Sequence, residues 1–177
     1  PKIYKNRKWT YNLAVAHYTF ATNSRGATKS EYMNKAIKLF KIVIKTDKLF
    51  LPAHENLIYI YKEIDEDSKA SRAQQNYEKC RNELIKSFSR QDQLALGMND
   101  LHIFRVKLGT FGEYNTPIAL FDEDQVITIP INENNTTYIA GMFYNLEDAI
   151  KYQKRMLRKG YENALIIAYK NGNEIEF

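Results

Sequence analysis

Apolar side chains return every three to four positions through about the first ninety residues, then begin to alternate with polar ones, so the period changes partway along the chain. The clearest helical stripe runs from Tyr32 to Ile44 and carries Ala36, Ile37, Leu39, Phe40, Val43 and Ile44. Lys48 to Pro52 breaks it. Pro52, a favourable first-turn residue, opens a second helix through Leu57, Ile60 and Tyr61 to Ile64, which the acidic Asp65, Glu66 and Asp67 end. A third helix begins near Ser68 and carries Ala70, Ala73, Tyr77, Cys80, Leu84 and Phe88. An earlier one covers roughly Lys8 to Ala21, with Trp9, Leu13, Ala16 and Phe20 as its apolar stripe. The polar stretch from Thr22 to Ser30 reads as a long connection between the first two.

Gly97-Met98-Asn99-Asp100 interrupts the helical pattern, and Phe104-Arg105-Val106-Lys107-Leu108 then alternates as a strand with one covered and one open face does. That strand ends in Gly109-Thr110-Phe111. Thirty-two residues later Tyr138-Ile139-Ala140 ends in Gly141-Met142-Phe143. The first Gly-x-Phe precedes a weak helical region, Tyr114 to Phe121, interrupted by Pro117. The second precedes a strong helix, Leu146 to Lys159, with Ala149, Ile150, Gln153, Met156 and Leu157 on one side. Strands at Val126–Ile131 and Ala164–Tyr169 close the two halves, giving the order β-α-β-β-α-β. Asn134-Asn135 suits the middle connection, and Asn171-Gly172 is a two-residue turn signal into a short strand at Glu174–Phe177. The pattern thus predicts two domains. Residues 1–98 are helical hairpins, and residues 99–177 are a four-stranded antiparallel sheet backed by two helices, able to fold alone.

The helices repeat as a unit. Trp9 to Tyr18 (WTYNLAVAHY) matches His54 to Glu63 (HENLIYIYKE), each placing an Asn-Leu pair, Asn12-Leu13 and Asn56-Leu57, ahead of aromatics one turn on. Each is followed by a helix with a small residue near its start, Ala36 or Ala70. AIKLFKIVIKTDKLFLPAHENLIYIY is close to the tetratricopeptide (TPR) pattern, in which helical hairpins stack and hold protein partners. About two repeats and a trailing helix are visible, and repeats upstream of Pro1 are expected. FRVKLGTF, with AGMFYNLEDAIKYQKRMLRKGYENALIIAY, resembles the SPOR (sporulation-related repeat) family in order and spacing, most specifically at Gly141, Phe143, Ala149, Gly160, Tyr161 and Ala164. The ending ALIIAYKNGNEI is similar to versions found in Bacteroidota envelope proteins. The resemblance implies a split β-α-β, ferredoxin-like fold, a place in the periplasm or envelope of a Gram-negative bacterium, and a sheet whose open face binds glycan strands of peptidoglycan stripped of stem peptides. On this chain that face comprises Arg105, Lys107, Thr137 and Ile139, whose polar members suit sugar hydroxyls and a lactyl carboxylate. The alternative is a scaffold subunit of an envelope secretion or motility assembly, its SPOR-like part docking protein rather than glycan.

Charge alters this picture little. Residues 1–98 hold 18 Lys and Arg against 10 Asp and Glu, a balance of +8, while residues 99–177 hold 8 against 11. Lys35, Lys38, Lys41 and Lys45 recur along one amphipathic segment as a solvated helix face does, so nucleic acid is not expected as a partner. No apolar run nears the length of a membrane span, and the start at Pro1 reads as part of a longer chain. Cys80 excludes an internal disulfide and sits at a packing position. His17, His54 and His102 have no metal-ligand spacing. Asp122-Glu123-Asp124 reads as a solvated loop, and no nucleophile elbow, phosphate-binding loop or dinucleotide fingerprint occurs. A non-catalytic binding protein without cofactor or metal follows.

Overall fold

The structure, a computed structural model, describes residues 6–87, 102–112, 114–170 and 173–176. Phe88, the 97–100 breaker, the boundary at 98/99 and the Asn171-Gly172 turn lie outside the described residues.

Four helices come first: α1 (Arg7–Thr22), α2 (Gly26–Thr46), α3 (Leu51–Glu63) and α4 (Asp67–Ser87). They pack as two successive pairs, α1 on α2 and α3 on α4, with α2 also meeting α3. Two details depart from the sequence reading. The long connection between the first two helices shrinks to Asn23–Arg25, because α2 starts at Gly26, seven residues ahead of its first well-buried side chain, Met33. The polar residues of that extra turn face solvent at small cost in helix propensity, and Lys29 Nζ holds Glu63 of α3 at 2.9 Å.

The second departure is the rotation of α1. Trp9, Leu13 and Phe20 were expected to be buried, yet Trp9 is 66% and Phe20 50% exposed. The buried side is instead Thr10, Tyr11, Ala14, Val15, Tyr18 and Thr19. A side that packs on sheet backbone as well as on helices needs hydroxyls, and this one supplies them: Tyr11 Oη donates to the Val126 carbonyl.

The second part comprises β1 (His102–Gly112), a 3₁₀ turn (Ile118–Asp122), β2 (Ile127–Asn132), β3 (Asn135–Phe143), α5 (Leu146–Arg158), β4 (Leu165–Lys170) and β5 (Asn173–Ile175). Neighbouring strands are antiparallel, in the order β2-β3-β1-β4-β5. The sheet therefore has five strands, not four, with β5 as an edge beyond β4. It has one supporting α-helix, not two. Pro117 cannot continue a helix upstream and an acidic run follows, so the weak helical region contracts to the 3₁₀ turn. In α5, the Asp148 amide donates to Asn145 Oδ1 at 2.9 Å, acids occupy the first turn and Arg155 and Arg158 the last, which suits the helix dipole. Ala149, Tyr152 and Met156 form its buried side, whereas Leu157 is exposed.

The chain is thus a mixed α and β protein, helices first and antiparallel sheet second. Both parts feed one core, in which Tyr11, Leu51 and Ile60 belong with Ile103, Val126 and Tyr138.

The two Gly-x-Phe motifs explain the shape of β1 and β3. Both strands run through their glycines rather than ending there, with φ of +149° at Gly109 and +76° at Gly141. The β1–β3 register slips at both places, between Phe104 and Val106 and between Lys107 and Gly109. Such bulges bend a strand and sharpen its twist. Each phenylalanine ring folds back over its own glycine: a Cβ on Gly109 would lie 2.9 Å from the Phe111 ring, and one on Gly141 would collide with Phe143. Glycine is required here by the ring as much as by the backbone angle.

Candidate functional site

Side-by-side partners in an antiparallel pair share a face. Lys107 stands opposite Ile139 on one side and Leu165 on the other, and Thr137 opposite Thr110. Arg105 lies two residues along from Lys107, opposite Ile167. The four residues expected to bind glycan therefore do line one face of the sheet. That face is not open where they stand: Arg105 is 1%, Ile139 4% and Thr137 6% exposed, and Lys107 alone is partly exposed.

The reason for the closure is chemical. Arg105 Nη2 donates to Glu55 Oε2 of α3 at 2.7 Å, and its guanidinium lies 5.8 Å from the centre of the Tyr169 ring. A buried guanidinium needs a paired counter-charge, and α3 brings one. Burial pushes the Glu55 carboxyl up while Arg105 pulls it down, and Glu55 in turn favours the charged guanidinium. The Thr137 hydroxyl is likewise engaged, 2.6 Å from that of Thr110. Strand alternation places these residues on one face, but alternation cannot tell a solvated charge from one that meets a partner far away in sequence.

The repeat-related asparagines make the joint between helices and sheet. Asn56 Nδ2 donates to the Val126 carbonyl at 3.2 Å and to Tyr11 Oη at 2.9 Å, while Asn56 Oδ1 accepts from the Thr128 amide at 3.2 Å. Asn56 thus gives the Thr128 amide a partner and joins Tyr11 on the Val126 carbonyl, at the start of the β2 edge. Its counterpart Asn12 donates to the Phe121 carbonyl at 2.8 Å. The internal repeat marked these two positions, although nothing in the sequence said what they bind.

Glu123 corrects another expectation. It is not solvated but buried, accepting from Tyr152 Oη at 3.1 Å and from Lys159 Nζ, with Arg155 at 3.8 Å. It staples the 3₁₀ turn to α5. Among the described residues, no cluster of three or more His, Cys, Asp and Glu has the arrangement of a metal site. His54 Nε2 and Cys80 Sγ both meet the Lys48 carbonyl, at 3.1 and 3.3 Å. Burial holds the His54 imidazole below its usual value and pushes the Cys80 thiol up to about 12. Both are packing residues.

The helical layer carries what the sheet lacks: open, shaped surface. A groove runs between α2 and α4 with α3 as its floor, as two adjoining depressions of about 410 and 480 Å³ that share Lys41, Ile44, His54 and Asn76. The lysine spacing on α2 had shown only a polar helix face, since the sequence cannot place α4 opposite it. Comparison with protein-family models, with curated proteins and with solved structures finds no match for this chain. No helix among the described residues is long and apolar enough to cross a membrane.

Proposed function

We propose that this protein is a non-catalytic docking scaffold of a bacterial cell envelope, in which TPR-like hairpins hold a protein partner and a SPOR-like sheet serves as their support instead of binding glycan. The observation that carries the reading is the Arg105–Glu55 ion pair at 2.7 Å. The charge that would greet a glycan on an open sheet is spent inside the molecule, beneath α3. A glycan strand needs an accessible row of donors and acceptors, and of the four residues available to supply it only Lys107 reaches solvent. The helical layer, by contrast, offers a groove and an exposed apolar stripe, features by which hairpin repeats hold other proteins.

Co-sedimentation with peptidoglycan sacculi tests the reading. The 177-residue protein is expected to stay in the supernatant with intact sacculi and equally with sacculi whose stem peptides an amidase has removed. Saturable retention on the denuded sacculi, persisting in moderate salt, would overturn it in favour of glycan binding.

A further inference from the structure

The α2–α4 groove has a consistent chemistry. Three lysines stand along its α2 side, Lys41, Lys45 and Lys48, and Lys69, Arg72 and Lys79 stand along α4. Glu83, at one end, is the sole acid among the lining residues. Lys69 is held by Glu66 at 2.8 Å, but no described carboxylate lies within ion-pair distance of the other five cations. Between the rims the floor is apolar, built from Ile44, Leu57, Tyr61 and Ala73.

Two rims of positive charge, unpaired except at Lys69, over an apolar floor set the requirements for an occupant. It must bring carboxylates to both sides and a large apolar side chain to the middle. Nucleic acid meets only the first requirement. Bases seek exposed aromatic faces on which to stack, whereas the one aromatic in the floor, Tyr61, is buried and lies 6.0 Å below the Lys41 ammonium. A small anion would leave most of the groove empty. We infer that the groove between α2 and α4 docks an acidic peptide segment of the protein partner, anchored by at least one leucine-sized or aromatic side chain. The inference rests on the docking reading above and names where the partner binds and what its binding segment looks like. Helices and strands both present such segments to apolar grooves, and charge complementarity adds specificity and speed of association.

The test is fluorescence anisotropy on the whole chain. The probes are fluorescein-labelled peptides of about 14 residues, rich in Asp and Glu, with leucines placed one helical turn apart. Saturable binding is expected, weakened at least tenfold by Lys45→Glu with Lys79→Glu and lost when the leucines become serine. Lys62→Glu with Lys154→Glu, outside the groove, is expected to leave it unchanged. All four lysines are exposed, so the variants keep their fold, which circular dichroism verifies. Three results would each overturn the inference: no saturable binding at low salt, equal binding of the serine peptides, or preferential binding of an oligouridylate of similar length. Retention on denuded sacculi sinks the docking reading itself, whereas peptide failure without such retention sinks only this assignment of the groove.

Discussion

Tyrosine is the residue that distinguishes this chain, with 13 copies, and its role is largely structural. Several hydroxyls sit where helices meet sheet and do not ionise in the ordinary range. Burial pushes Tyr59, Tyr77 and Tyr144 up to about 12. The sign of the consequence follows from linkage. Unfolded tyrosines release their protons near the ordinary value of about 10, while the folded state still holds them. Stability from these groups is therefore complete below about pH 10 and is lost as pH rises through about 12. Urea unfolding at pH 9 and pH 11 is expected to show a clear fall in midpoint at the higher pH. An unchanged midpoint would mean these tyrosines are more open than their packing implies. At this same scale, sequence reading was strongest for small packing residues, such as Ala36, Ala70 and Cys80, and weakest for charges. Arg105 and Glu123 looked solvated because their partners, Glu55 and Lys159, lie 50 and 36 residues away.

At the scale of elements, the edge strand β2 is the feature on which the assembly turns. An edge facing a helical layer cannot rely on water, so its backbone groups need side-chain partners. Asn56 supplies two of them. Asn56→Ala is expected to cost about 2–3 kcal/mol, because it strands the buried Thr128 amide and leaves the Val126 carbonyl to Tyr11 Oη alone. Asn12→Ala, at a half-buried site, is expected to cost about 1 kcal/mol. Urea denaturation of the two variants measures the difference, and equal small losses would show that the edge is satisfied some other way. Element type was legible along most of the chain, since the 3.6-residue and two-residue periods are strong outside the Tyr114–Phe121 region. The rotation of α1 was not. Trp9, Leu13, Ala16 and Phe20 form a tidy apolar stripe, but helix rotation is decided by what lies opposite, and there the segment leading into β2 presents the Phe121 and Val126 carbonyls, which call for amide and hydroxyl groups. The fifth strand was visible only as a short tail after a turn signal, too brief to count as sheet before its pairing with β4 was known.

At the scale of the molecule, helices and sheet share one core, and this governs both folding and function. Residues 99–177 suggest an independent unit by pattern, yet Ile103, Val126 and Tyr138 complete their burial in a core shared with helical residues, and Arg105 finds its counter-charge only on α3. A fragment spanning residues 99–177 is accordingly expected to show no cooperative thermal transition, and a sharp one would reinstate two separable domains. Closure of the sheet face is the claim on which the docking account stands, and a double-mutant cycle on Arg105 and Glu55 measures it most directly. Arg105→Met alone is expected to cost about 3–5 kcal/mol, since it leaves Glu55, largely covered with its side chain 14% exposed, as an unpaired charge. Adding Glu55→Leu is expected to recover most of that loss, giving a coupling of about 2 kcal/mol or more between strand and helix. A coupling under about 0.5 kcal/mol, with Arg105→Met nearly neutral as for an ordinary exposed strand residue, would contradict the closed face and return Arg105 to the surface.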